Sequence, residues 1–213
     1  MSALVCEMSP TQVAHGRAMQ LLERYGVLTR ETALGEGIAG GFAGVYPVLK
    51  ELEERGTIRR GYFVAGLGAA QFALGGAVER IRSVRGEPNR SSCSADGILV
   101  MAASDPAQPY GASLRWPHSE GRPSRGAGAL VVIGDGELLA FVERGAKTLT
   151  VFDAGERDRR WAAGLAEVVR TGRRSSLSIS KVNAISARES LHGEVLKEAG
   201  FVEGYKGLVM RQR

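Results

Sequence analysis

The stretch TIRRGYFVAGLGAAQFAL, Thr57 to Leu74, interrupts a helical sequence with paired-strand chemistry. Thr57–Val64 alternates poorly but is rich in strand formers, Ala65–Gly68 can turn, and Ala69–Leu74 can return as a second strand. Upstream the periodicity is helical. Ser9 is a candidate N-cap with Pro10 at the first helical position, and Gly26 is a stop. Val13, Met19, Leu22 and Tyr25 make an approximate apolar stripe between them. Thr29 caps a shorter second helix with Glu31 and Glu36 on its solvated side. In the third helical segment Phe42, Val45, Leu49 and Leu52 recur at three- and four-residue spacing, ending at Gly56. Pro47 lacks a backbone donor, so this helix is expected to start close to it or bend there.

Three helices followed by a hairpin is the order of a winged helix. In that fold the third helix enters the major groove and the hairpin, the wing, approaches the backbone or minor groove. Arg59 and Arg60 then stand where the first wing strand leaves the third helix, near the path of phosphates. Lys50 and Arg55 add to the cluster, and Tyr46 and Tyr62 are close in sequence. Guanidinium and aromatic groups together suit phosphate contact with base or sugar stacking. The same charges also fit a solvated face balanced by Glu51, Glu53 and Glu54.

Gly75–Gly86 reads as a helix leaving the wing, and the Ser-rich EPNRSSCSADG that follows is the best candidate boundary. Beyond it ILVMAAS is expected to be a buried strand, DPAQPYG a loop and PHSEGRPSRGAG a polar linker. ALVVIGDGELLAFVERGAKTLTVF gives two strands across Asp135-Gly136 and a third after Arg144–Lys147. A helix over ERDRRWAAGLAEVVRTG, a strand over SSLSISKVN, a helix over ESLHGEVLKEAG and a final hairpin complete the chain. The expected fold class is α+β. A winged helix near residues 1–88 precedes an α+β module near 95–213, built on an antiparallel sheet or small β-barrel.

A formal net charge of +5 and a pI near 9.5 suit a polyanionic partner. Cys6 and Cys93 form no CxxC pair, which argues against a disulfide framework or a zinc site and favours a reduced, cytoplasmic setting. No apolar run approaches the roughly 20 residues that span a bilayer, and no signal peptide or membrane partner is expected. Gly145-Ala146-Lys147-Thr148 ends like a phosphate-binding loop, but lacks the earlier glycine and lies between strands instead of opening a helix, so no nucleotide cofactor is expected. His15, His118 and His192 are scattered and no G-x-S-x-G is present. Asp105, before Pro106 and after an apolar run, is expected to cap a turn. It is also the one candidate for a catalytic carboxylate.

AMQLLERYGVLTRETAL, GGFAGVYPVLKELEERGTIRRGYFVAGLGAAQFAL, ASDPAQPYGASLRWP and AGALVVIGDGELLAFVERGAKTL together resemble the C-terminal region of the Lhr (large helicase-related) superfamily 2 DNA helicases. The resemblance covers nearly the whole chain and is most specific in the wing and in DP-x-x-PYG. In that family this region follows the ATPase core, carries winged-helix and β-barrel-like modules, and resembles winged-helix DNA glycosylases of the AlkZ type. The resemblance implies a nucleic-acid-binding accessory domain with single-stranded or duplex DNA as ligand. It implies a helicase ATPase core in cis or trans as partner, and self-assembly into a homo-oligomer. Motor motifs are absent from this sequence. The glycosylase relatives use a glutamine-x-acid pair; here the comparable stretch is Gln71-Phe72-Ala73, without the acid, and the closing LVMRQR has none. A winged-helix glycosylase acting in base excision repair and a protein-interaction module are the alternatives.

Overall fold

The computed structural model describes residues 8–68, 70–86 and 97–212. Apart from Gly97 the Ser-rich candidate boundary lies outside these residues, as do Arg90, Cys6 and Cys93. The chain divides into two compact units, Met1–Pro88 with Ala112–Leu114 and Asn89–Gly111 with Arg115–Arg213.

In the first unit, α1 (Pro10–Tyr25) opens with a reciprocal cap. The Ser9 hydroxyl accepts from the Gln12 amide, and the Gln12 side chain accepts from the Ser9 amide at 2.8 Å. Gly26, at φ 70°, ends the helix by donating to the Leu22 carbonyl. Strand β1 (Val27–Leu28) follows, then α2 (Arg30–Gly35), capped by Thr29, and α3 (Gly41–Glu54). Pro47 lies inside α3, in its second turn. Val45, Leu49 and Leu52 of α3 bury against Ala18, Leu21 and Leu22 of α1. Each large apolar side chain so buried contributes about 1.5–3 kcal/mol. Strands β2 (Ile58–Gly61) and β3 (Gln71–Leu74) pair antiparallel, and β1 adds to β3, giving the order β1-β3-β2. Helix α4 (Gly75–Gly86) leaves the wing. The unit is a winged helix. Its strand β1 escaped the sequence because two residues carry no period.

The second unit contains β4 (Ile98–Ala102), β5 (Leu130–Gly134), β6 (Glu137–Val142), β7 (Thr148–Val151), α5 (Asp153–Arg157) and α6 (Trp161–Arg170). Then come β8 (Ser176–Ile179), β9 (Lys181–Val182), β10 (Ile185–Ser186), α7 (Leu191–Glu198), β11 (Val202–Gly204) and β12 (Gly207–Arg211). A six-stranded sheet runs β10-β9-β7-β6-β5-β4, antiparallel except for the parallel β7–β9 pair, and a three-stranded sheet runs β11-β12-β8. One face of the larger sheet, with Val132, Val142 and Leu149, packs on Trp161, Leu165 and Val169 of α6. The other buries Val131, Phe141 and Phe152 with Trp116 packed against them. Gly164 permits the close approach of α6 to β4, since a Cβ there would lie 2.7 Å from Ile98 Cγ2.

Three expectations shift in detail. The helix read over 156–172 is two pieces, broken around Asp158–Arg160, where the Trp161 indole N–H donates to the Gly155 carbonyl of α5. SSLSISKVN supplies strands to two different sheets, because the chain crosses from β8 to β9 at Ser180. ILVMAAS forms the end strand of its sheet, so alternate residues are less covered and Leu99 is partly exposed. The whole is α+β, a winged helix followed by mainly antiparallel sheets with helices.

Candidate nucleic-acid interface

On α3 the charges pair within one turn. The Arg55 guanidinium bonds Glu51 at 2.7 Å and the Lys50 ammonium lies 3.6 Å from Glu54, all four side chains exposed. Arg60, on β2, donates to Glu53 at 2.8 Å and sits over the Phe72 ring, 5.2 Å from its centroid, with the Tyr46 hydroxyl 3.5 Å away. Tyr46 itself belongs to an aromatic group with Phe42 and Phe72 at 5.7 and 6.1 Å. Each of the three glutamates named as a balancing face therefore answers one cation.

The pleat separates the two wing arginines. Arg60 is opposite Phe72 in the register and packs toward the aromatic group, whereas Arg59 is opposite Ala73 and emerges on the other face of the ribbon. Arg59 is exposed and makes no ion pair among the described residues. Tyr62, just beyond β2, is 80% exposed. The connection over Phe63–Gly68 is fixed from within by Gln71, which is fully buried. Its Oε1 accepts from the amides of Phe63 and Val64, both at 2.8 Å, and its amide nitrogen donates to the carbonyls of Val64, Leu67 and Gly68. A buried amide that forms all these bonds substitutes for strand pairing through an irregular loop. Its sequence signal was one polar residue in the apolar run QFAL.

The winged-helix domain of large helicase-related (Lhr) proteins matches residues 7–93. Over 217 aligned residues the chain is 42% identical to the Lhr helicase/probable uracil glycosylase of Mycolicibacterium smegmatis, covering 96% of this chain. It is 32% identical over 197 residues, 90% of its length, to the Lhr helicase/uracil glycosylase of Escherichia coli. This chain is homologous to a segment of the Lhr proteins. It spans only 14% and 12% of those two relatives.

Outside the winged helix, Asp105 is a turn residue in its contacts. Its carboxylate accepts from the Ala107 amide at 2.9 Å, and its carbonyl accepts from the Gln108 amide and from Arg125. Gly145-Ala146-Lys147 forms the turn joining β6 to β7, with Gly145 and Ala146 at φ 84° and 56°. At the far end of the same sheet, Arg160 bridges Asp135 at 2.6 Å and Asp158 at 2.7 Å. Those hydrogen bonds hold the Asp158 carboxyl below the usual carboxylate range. In the winged helix the Tyr25 hydroxyl, then Arg24, likewise bond Glu36 and lower its pKa. No described helix is long and apolar enough to cross a membrane.

Proposed function

We propose that this chain is a nucleic-acid-binding accessory domain of an Lhr-type helicase in the bacterial cytoplasm, acting beside an ATPase core in cis or in trans. The observation that carries it is the exposed pair Arg59 and Tyr62, on a wing whose loop is pinned by Gln71. Tyr62 supplies a ring for a base or sugar and Arg59 a phosphate contact. Lys50 and Arg55 add to it, because exposed ion pairs are worth only about 0–1 kcal/mol and a phosphate can displace Glu54 and Glu51. Arg60 and Tyr46 position the wing on α3. Filter binding of single-stranded and duplex DNA tests this. Tyr62→Ala should weaken binding by about 1–3 kcal/mol, the worth of one stacked base. Absence of DNA binding by the parent chain at any salt overturns it. The chain alone should neither hydrolyse ATP nor unwind DNA.

A second reading is favoured by the two relatives, one named a helicase/probable uracil glycosylase and the other a helicase/uracil glycosylase. Release of uracil from an oligonucleotide by the purified chain is its test. Loss of that release in Asp105→Asn with unchanged melting would make Asp105 more than a turn residue.

A further inference from the structure

Five chain segments end at one edge of the six-stranded sheet. Strand β9 begins there at Lys181, β7 at Thr148, β5 at Leu130, while β6 ends there at Val142 and β4 at Ala102. Four basic residues lie at this edge. Lys181 is paired in register with Thr148, and its amide and that of Ser180 both donate to the Lys147 carbonyl, so Lys147 and Lys181 are neighbours across adjacent strands. Arg144 lies on the other side of the β6–β7 turn. It meets Arg174 at Gly128: a Cβ on that glycine would be 3.5 Å from Arg144 Cγ, and Arg174 donates to the Gly128 carbonyl at 2.7 Å.

What these cations bind separates them from the rest. The side chains of Arg144, Lys147 and Lys181 are exposed and have no hydrogen bond or ion pair among the described residues. Arg174 is held by a backbone carbonyl, which orients the guanidinium and leaves its charge unneutralised. The carboxylate in the same turn, that of Glu143, is exposed and makes no ion pair among the described residues. At the opposite edge, by contrast, Arg160 is neutralised by Asp135 and Asp158, and Arg157 lies 3.6 Å from Glu137. The two edges therefore differ in pairing: at one each named cation has a carboxylate, while at the other the four cations make no ion pair among the described residues, although the carboxylates of Asp105, Glu143 and Glu189 lie at that edge too.

We infer that the edge formed by Arg144, Lys147, Arg174 and Lys181 is a second nucleic-acid surface, taking the phosphodiester backbone. The identity of the polyanion rests on the nucleic-acid reading above; the location does not. From β9 through β7 and β6 to β5 the row spans three strand spacings, about 14 Å. One strand of a duplex carries a phosphate about every 3.4 Å of axis and winds around it, so the row faces at most about four phosphates. Lysines and arginines projecting from one line of turns match such a ladder without base contacts, so the binding is sequence-independent.

The test is DNA titration of the full chain at several salt concentrations. The triple variant Arg144→Gln, Lys147→Gln, Lys181→Gln spares Arg174 and the positive-φ turn residues, so it should melt with the parent. It should lose at least about tenfold in affinity at moderate salt and flatten the log K against log[salt] slope by about 2–3. The charge-matched triple Arg17→Gln, Arg30→Gln, Arg80→Gln, in the winged helix, should change both much less. Glu143→Gln should tighten binding. If the parent binds DNA and both triples weaken it equally, net charge alone acts and the surface is overturned while the accessory-domain function stands. If polyglutamate of matched charge competes as well as DNA, the partner is an acidic protein, and the nucleic-acid assignment falls. If the parent binds no DNA, both proposals fall together.

Discussion

The helix–wing junction and the basic edge of the six-stranded sheet carry similar numbers of cations and differ in what answers them. At the junction Lys50, Arg55 and Arg60 each have a glutamate within 3.6 Å. At the sheet edge the oriented cation is held by a carbonyl and the others by nothing described. A carboxylate partner cancels the far field of a cation, whereas a carbonyl fixes its direction and leaves the field in place. Counting basic residues along the sequence therefore ranks the junction first, and their partners rank the sheet edge beside it. On the proposed reading the junction would contribute shape, one aromatic ring and Arg59, and the edge the larger share of unpaired charge.

The largest effect should come from removing what holds the wing in shape. Gln71→Leu fills a similar volume but strips the bonds to two amides and three carbonyls of the 63–68 loop. Leaving buried polar groups unpaired costs about 1–3 kcal/mol each where water cannot reach them. A total loss of about 3 kcal/mol is expected in urea unfolding, with Tyr62 no longer presented and wing-dependent DNA affinity lost. A loss under about 0.5 kcal/mol would mean that water replaces the side chain. The same change says nothing about the sheet edge, so the triple variant there should still show its salt effect in the Gln71→Leu background.

Much of this was legible. Capping at Ser9, the stripe of α3, the Asp135-Gly136 turn and the order of the elements followed from local rules that depend on a few neighbouring residues. The sequence sets Arg59 and Arg60 together near phosphates, whereas adjacent residues of a paired strand face opposite sides, and the register of β2 on β3 separates them. What could not be read were partners distant in sequence. Gln71 reaches back to Phe63, Arg174 crosses to Gly128, and Lys147 meets Lys181 only because β9 lies parallel to β7. A two-residue strand such as β9 has no periodicity to detect, and it assembles the basic edge.

Removing the glutamates should make the junction resemble the edge. Glu51→Gln with Glu54→Gln releases Arg55 and Lys50 without altering the buried stripe of α3. DNA affinity at low salt should rise about tenfold, and the salt slope should steepen by up to about 2 as the two cations engage phosphates. An unchanged slope would mean that α3 faces away from the nucleic acid.

A smaller effect separates the two wing arginines. Arg59→Gln should lower affinity about threefold, reduce the slope by about 1 and leave melting unchanged. Arg60→Gln should do the reverse. It removes the bond to Glu53 and the packing over Phe72, costing about 1 kcal/mol of stability with little effect on binding. Equal effects on binding would show that the ribbon turns both faces to DNA.

The smallest effect is expected in acid, where the neutralised regions should respond. Asp158 and Glu36 have folded-state pKa values below their ordinary ones, through bonds from Arg160 and from Tyr25 and Arg24 respectively. A depressed carboxylate binds protons less readily folded than unfolded, so its stabilisation is present above the unfolded pKa and fades as pH falls through the folded one. The loss should therefore begin below about pH 4.5 and be flat from there to pH 8. Both carboxylates are reached by solvent, and screening holds each contribution to under about 1 kcal/mol. Urea midpoints at pH 7 and pH 3 should differ less in Asp158→Asn than in the parent, because the variant lacks the proton-linked part. An acid response equal to the parent's would mean that Arg160 gains as much from Asp135 alone, and that the far edge of the sheet is neutralised by one carboxylate instead of two.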